Sequence, residues 1–150
     1  MIKCVPGKPI EILLVEDNPA DVRMTREALK VAGVLHHLHV VEDGLDAIAF
    51  LYQGRQYGGV PLPDLILLDL NIPQVNGHEV LLEIKTNDRL KHIPVVVLTS
   101  SKAGRDVRKS YQRSADYVVI KPAGLDAFVQ VIKSVKTVAA RRPAPRQSFE

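Results

Sequence analysis

The chain has 150 residues, of which 46% are hydrophobic and 25% charged, and its formal net charge is +3 at pH 7. This length and hydrophobic content suffice for one sizeable core, so we expect a single domain and no separate output domain. With one cysteine, Cys4, and no apolar run of about 18 residues, the sequence excludes a disulfide framework and a membrane span, and we expect a cytoplasmic protein.

The first predicted strand ends in two adjacent acids. Residues 10–15 form an apolar run that is followed directly by Glu16 and Asp17. Asn18, with a proline after it, is a favoured start for a helix, which we predict over 19–32. Two neighbouring carboxylates repel each other and are costly to hold close without a cation, so both acids are candidate metal ligands.

Three histidines precede or enter the second predicted strand, which we place at 38–42. They are His36, His37 and His39, and alternate spacing puts only His37 and His39 on one face. A metal site is the alternative, but these residues lie at the opposite edge of the sheet from the acids. We therefore predict a solvated strand entry, followed by a helix that ends near residue 53.

A single carboxylate closes the third predicted strand. Residues 54–63 form a Gly- and Pro-rich loop, which is longer than most such connections and is expected to protrude. The unbroken apolar run 65–68 then indicates a strand covered on both faces, as in a parallel α/β sheet. Asp69 follows at the carboxyl end, where ligands bind in such sheets. The alternative role for Asp69 is a turn cap.

A hydroxyl and an ammonium group follow the last two predicted strands. Thr99 directly follows the apolar run of the fourth strand and Lys121 follows the fifth strand. Each could be explained separately, because Thr99 could merely end its strand and Lys121 could merely be solvated. The remaining elements are predicted as helices at 77–86, 103–113 and 125–139 and strands at 94–98 and 116–120.

The alternation of strands and helices predicts how these polar residues meet. Right-handed crossovers give a doubly wound, five-stranded parallel sheet of order 2-1-3-4-5. The strand ends then converge, so Glu16, Asp17 and Asp69 present hard oxygens suited to Mg²⁺. Asp69 becomes a candidate nucleophile for a phosphoryl group, whose oxygens Lys121 and Thr99 would bind.

Taken together, these residues resemble the site of the receiver domains of two-component response regulators, over about residues 10–137. The resemblance implies a flavodoxin-like receiver fold, with Asp69 as the phospho-acceptor and a sensor histidine kinase as the donor. It also implies that the backbone carbonyl of Asn71 completes the Mg²⁺ site. Self-phosphorylation and slow autodephosphorylation at Asp69 would be the chain's only reactions, so it is not expected to be a conventional enzyme.

Within the family, the chain looks most like small receivers that are paired with phytochrome-type kinases. The segments LLVEDNPAD, DGLDAIAFL and VLTSS and the lengthened connection before the third strand carry this narrower resemblance. We predict tails at 1–9 and 140–150 around a receiver domain at 10–139.

Two other functional classes share parts of this pattern. A pseudo-receiver would have this fold as a protein-interaction module and never carry phosphate, but the retained site residues argue against it. A haloacid-dehalogenase-like phosphatase also uses a strand-end Asp, but it needs an acid two positions later, where this chain has Asn71.

The last predicted helix suggests a partner surface. Ala127, Val131, Val135 and Val138 give it a second apolar side, away from the side expected to face the sheet. We therefore expect a homodimer through the fourth helix, the fifth strand and the fifth helix. The basic residues of the fourth helix region and tail could suggest nucleic acid, but no recognition motif accompanies them, so we predict no nucleic-acid role and no membrane partner.

Overall fold

The computed structural model describes residues 9–54, 58–69, 77–99, 117–120 and 124–141. Within these residues the strands are β1 (Ile10–Val15), β2 (His36–Val41), β3 (Leu65–Asp69), β4 (Val95–Thr99) and β5 (Tyr117–Ile120). The helices are α1 (Pro19–Val31), α2 (Gly44–Leu51), α3 (Gly77–Thr86) and a C-terminal helix (Leu125–Arg141). The predicted fourth helix at 103–113 lies outside the described residues.

The five strands form one parallel sheet of order β2-β1-β3-β4-β5. This is the doubly wound α/β fold expected from the sequence, so the prediction of the fold class is confirmed. The carboxyl ends of all strands in such a sheet lie at one edge, and the registers place the ends of β1 and β3 side by side, with Val15 opposite Leu68.

Two apolar layers cover the sheet because successive strand residues point to opposite faces. One face packs on α2 and α3 and the other on α1 and the C-terminal helix. Every residue of β3 is buried, as expected for a central strand covered on both sides. On the first face lie Leu13, Val15, Ile66, Leu68, Phe50 and Ile84, and on the second Ile12, Leu14, Leu67, Leu29, Phe128 and Ile132.

Side-chain caps fix where two helices begin after their strands. The Asn18 side chain accepts hydrogen bonds from the backbone N–H groups of Ala20 and Asp21, at 2.9 and 3.4 Å, and Pro19 occupies the first turn of α1. The Asp43 side chain caps α2 in the same way, accepting from the backbone N–H of Asp46 at 2.7 Å. α1 therefore starts only two residues after the acidic pair.

One sequence-based expectation about the strands needs correction. β2 begins at His36 rather than at residue 38, so the three histidines lie within the strand.

The loop at 54–63 is described only in part, because residues 55–57 lie outside the described residues. Gly58 and Gly59 are exposed, whereas Val60 and Leu62 pack on the first apolar layer. The Gln53 side chain donates to the Val60 carbonyl at 2.5 Å. The protrusion of this loop stays a prediction.

The C-terminal helix also differs from expectation. Val131 was assigned to an outward apolar side, but it is partly buried and packs on the second apolar layer with Phe128, Val129 and Ile132. The C-terminal helix also contacts α1, which covers the same face of the sheet. Among the described residues, no helix combines the length and the apolar character that crossing a membrane requires.

Candidate functional site

An acidic cluster lies at the carboxyl edge of the sheet, where β1 and β3 end. Glu16, Asp17 and Asp69 each offer a carboxylate oxygen, and these oxygens lie within 4.8 Å of one another. Glu16 and Asp69 are 1% and 2% exposed, whereas Asp17 is exposed. The three acids predicted to converge are thus brought together.

Backbone pairing fixes the two buried acids. The N–H of Glu16 donates to the Val41 carbonyl at 2.9 Å, which extends the pairing of β1 with β2 by one residue. Asp69 is still part of β3 and is paired in register with Leu98 of β4. Glu16 is therefore hydrogen-bonded to β2 at the position directly after β1, and Asp69 is carried by the central strand itself.

The turn after Glu16 is held by the acid itself. A Glu16 carboxylate oxygen accepts a hydrogen bond from the backbone N–H of Asn18 at 3.3 Å. Because the Asn18 side chain caps α1, the position of the Glu16 carboxylate is linked to the start of that helix. Asp17 lies between Glu16 and Asn18. It is exposed, and a carboxylate oxygen of Asp17 lies within 4.8 Å of those of the other two acids.

The remaining predicted site residues are placed only in part. Thr99 is the last residue of β4, one position beyond the partner of Asp69, and its backbone lies in register with Ile120 of β5. Lys121, which follows Ile120 in the sequence, and Asn71 lie outside the described residues.

The donor set of the acidic cluster is chemically suited to a divalent cation. All three groups are carboxylates, which are hard oxygen ligands, and two of them are removed from water. Negative charges held this close repel each other, and a bound cation would relieve that repulsion. The chain therefore carries a group of residues that fits a divalent metal ion.

A second polar cluster lies at the opposite edge of the sheet and was missed from the sequence. The Glu11 carboxylate accepts hydrogen bonds from His37 Nδ1 and His39 Nε2, each at 2.8 Å and each on a different oxygen. The histidines were predicted to be a solvated strand entry. That holds for His37, which is 62% exposed, but His39 is 29% exposed and its ring lies 5.3 Å from that of Phe50.

The environment of Glu11 changes its acidity. Burial by itself would raise the pKa of the Glu11 carboxyl group, but the hydrogen bonds from His39 and His37 and their nearby charge outweigh that effect. The pKa of Glu11 therefore lies below its ordinary value of 4.5. The signal that could have revealed this cluster is a charged residue within an apolar strand, next to a strand with the pattern His-x-His.

Comparison with known proteins agrees with this geometry. The family described as response regulator receiver domain matches residues 12–133. Response regulator Rcp1 from Synechocystis sp. (strain ATCC 27184 / PCC 6803 / Kazusa) is 45% identical over 129 residues, which are 86% of this chain and 88% of that protein.

Two solved structures of response regulators are similar to this chain over most of its length. The phosphorylated cyanobacterial phytochrome response regulator RcpA superimposes with a TM-score of 0.79 at 42% identity, covering 89% of this chain and 96% of that one. The Mn²⁺-bound form of Rcp1 superimposes with a TM-score of 0.78 at 43% identity, covering 91% of this chain and 98% of that one.

Proposed function

Because the chain belongs to the response regulator receiver domain family, we propose that it accepts a phosphoryl group from a sensor histidine kinase onto Asp69, in a step that requires Mg²⁺. The observation that carries this proposal is the acidic cluster, in which Asp69 ends the central strand beside Glu16 and Asp17. Membership of the family implies the histidine kinase as a partner.

The proposed role of Asp69 is that of the nucleophile. A carboxylate oxygen of Asp69 attacks the phosphorus atom, the bond from phosphorus to the kinase imidazole nitrogen breaks, and an aspartyl phosphate results. Burial of Asp69 keeps bulk water away from the reacting oxygen and strengthens electrostatic interactions there. Its place in β3 orients the carboxylate before the donor arrives.

Other residues would bind the transferred group and the metal. Glu16, Asp17 and Asp69, with the backbone carbonyl of Asn71, are the proposed ligands of Mg²⁺, which when bound neutralises charge on the phosphoryl oxygens. Lys121 is proposed to pair with one of these oxygens and Thr99 to donate a hydrogen bond to another. The position of the Thr99 backbone at the end of β4, beside β3, supports its role.

A phytochrome-type sensor is the proposed source of the phosphoryl group. The support is the similarity, at 42% to 45% identity over most of both chains, to RcpA and Rcp1, of which RcpA is a phytochrome response regulator. The test is phosphotransfer from a phytochrome-type histidine kinase that has been labelled with radioactive ATP. We expect label to leave that kinase for this chain much faster than it leaves an unrelated histidine kinase. Equal rates from both kinases would contradict the phytochrome pairing, and transfer from neither would contradict the proposed function.

A second copy of the chain is the other proposed partner. The surface would be formed by the fourth predicted helix, β5 and the C-terminal helix, where Ala127 is exposed. Val131 does not belong to this surface, because it packs on the chain's own core. Most of the remaining surface lies outside the described residues, so the support for the dimer is the sequence pattern and the exposure of Ala127.

A further inference from the structure

We infer that Glu11, His37 and His39 form a second metal site, selective for borderline cations such as Zn²⁺ and separate from the acidic cluster. The inference is independent of phosphorylation. It starts from the side chains that meet at the amino-terminal edge of β1 and β2, where one carboxylate lies between two imidazole rings.

The sheet register brings these three side chains together. Glu11 lies opposite His37 in the parallel pair, and Leu13 lies opposite His39, so alternate residues of both strands share a face. A His-x-His pair on a strand supplies two nitrogens on one side, and Glu11 of the adjacent strand supplies oxygen. Two histidines and one glutamate are a ligand set that zinc sites in proteins use, with a water in the remaining position.

The backbone that carries Glu11 is held in place before any ion binds. The N–H of Glu11 donates to a carboxylate oxygen of Asp64 at 2.8 Å, and the N–H of Asp64 donates back to the Glu11 carbonyl at 2.7 Å. His39 is held by its contact with Phe50. Because this backbone is already ordered, metal binding would cost little backbone conformational entropy at Glu11.

The rings must turn toward one point for an ion to bind. Each imidazole nitrogen now reaches a different oxygen of Glu11. Among the described residues, only the acidic cluster already has three ligand atoms within 4.8 Å of one another. Zinc ligands at about 2.0–2.2 Å from the ion lie closer together than the groups of the histidine site do now. His37 can make most of this adjustment because its side chain is 62% exposed. The ion would take the place of the two hydrogen bonds, and the nitrogens would coordinate it in their unprotonated form.

Chemistry and distance separate this site from the acidic cluster. Imidazole nitrogens favour zinc, copper and nickel, whereas a set made only of carboxylates favours Mg²⁺. Glu11 lies near the start of β1 and Glu16 directly follows its end, five residues later, a separation of about 16 Å at the rise of a β-strand. An ion at the histidine site would link β1 to β2, the edge strand of the sheet.

Titration calorimetry with Zn²⁺ tests the inference directly. The chain would carry Cys4→Ser to remove a competing thiol, and saturating Mg²⁺ would occupy the acidic cluster. We expect one zinc ion per chain, and affinity lowered more than about tenfold by His37→Gln, His39→Gln or Glu11→Gln, since each removes one of three ligands. Asp17→Asn should leave zinc affinity unchanged.

His36→Gln is the matched control, because His36 belongs to the same strand but alternates to the other face, where its Nδ1 lies 2.7 Å from the Val34 carbonyl. This variant should bind zinc like the parent chain. Zinc should also raise the melting temperature of the parent and of His36→Gln but not of His37→Gln. If His39→Gln does not fold, the zinc affinity of His37→Gln still tests the inference, because His37 is exposed and its substitution should leave the fold intact. Absence of saturable binding, or equal affinity in the His36 and His37 variants, would overturn the inference.

Discussion

Asp17 is the exposed member of the acidic cluster, and this exposure makes it the best single residue for testing the metal site. Its removal leaves no buried cavity and does not alter the two acids fixed in the sheet. The effect of a substitution on metal binding can therefore be measured without a large loss of packing.

We expect Asp17→Ala to weaken Mg²⁺ binding by more than about tenfold, because one of three carboxylates is lost. The same change should raise the free energy of unfolding of the metal-free protein, since it relieves repulsion from Glu16 and Asp69. Titration calorimetry and urea denaturation measure the two effects. Asp21→Ala, in the first turn of α1 and outside the cluster, is the control and should retain Mg²⁺ affinity. Unchanged affinity in Asp17→Ala would rule out this site.

Glu11 provides a pH-dependent test. Because its pKa is lowered in the folded protein, the ionised carboxylate stabilises the fold at pH values above its ordinary pKa of 4.5. This contribution is lost as pH falls through the lowered pKa. The difference in unfolding free energy between the parent chain and Glu11→Gln should therefore be full above about pH 4.5 and shrink below it. Urea denaturation at a series of pH values measures the difference, and a constant difference across this range would contradict the assignment.

At the scale of single residues, the sequence predicted the acidic cluster but not the partners of the histidines. Glu16, Asp17 and Asp69 were predictable because all three follow apolar runs, and strand ends converge in a parallel sheet. Glu11 meets His37 through the register of β1 against β2, which depends on contacts between distant parts of the chain. The periodicity of one strand does not reveal it.

For the helices and strands, the sequence predicted where most of them begin better than it predicted which of their sides are buried. Asn18 and Pro19 correctly marked the start of α1, and the apolar runs marked β1 and β3. The start of β2 was placed two residues late because polar histidines hide its beginning. The sequence placed Val131 on the wrong side because helical periodicity gives the direction of a side chain but not how much of the helix surface is covered by its neighbours.

The Asp43 side chain caps α2, and the stability that this cap contributes can be measured. Asp43→Ala should lower the free energy of unfolding by about 1 kcal/mol, since it removes the acceptor for the backbone N–H of Asp46. Asp43→Asn keeps an acceptor oxygen, so its free energy of unfolding should fall by only a small part of that amount. Chemical denaturation of both variants at one pH measures the difference. Equal losses in the two variants would show that the hydrogen bond from the Asp46 N–H is not the source of the stabilisation.

For the whole molecule, the sheet order followed from the alternation of strands and helices and from the handedness of crossovers. Association between copies does not follow from these rules, because it depends on which surface remains uncovered after folding. The proposed dimer therefore requires a measurement in solution.

We expect light scattering to show a dimer at high micromolar concentration and Ala127→Glu to shift it toward monomer, because the substitution adds a charge to an apolar contact. Leu82→Glu is the control. Leu82 is 65% exposed on α3, which covers the other face of the sheet, so this variant should remain dimeric. A monomeric parent chain, or an Ala127→Glu variant that dimerises as the parent does, would contradict the proposed surface.

The central claim, phosphorylation of Asp69, is tested most directly by intact-mass spectrometry after incubation with Mg²⁺ and a small phosphodonor such as acetyl phosphate. We predict that the parent chain gains the mass of one phosphoryl group and that hydroxylamine, which cleaves acyl phosphates, removes it. Chelation of Mg²⁺ should prevent the gain, and Asp69→Asn should abolish it, because an amide cannot act as the nucleophile. A parent chain that never gains this mass, or an Asp69→Asn variant that is labelled as fully as the parent, would contradict the account.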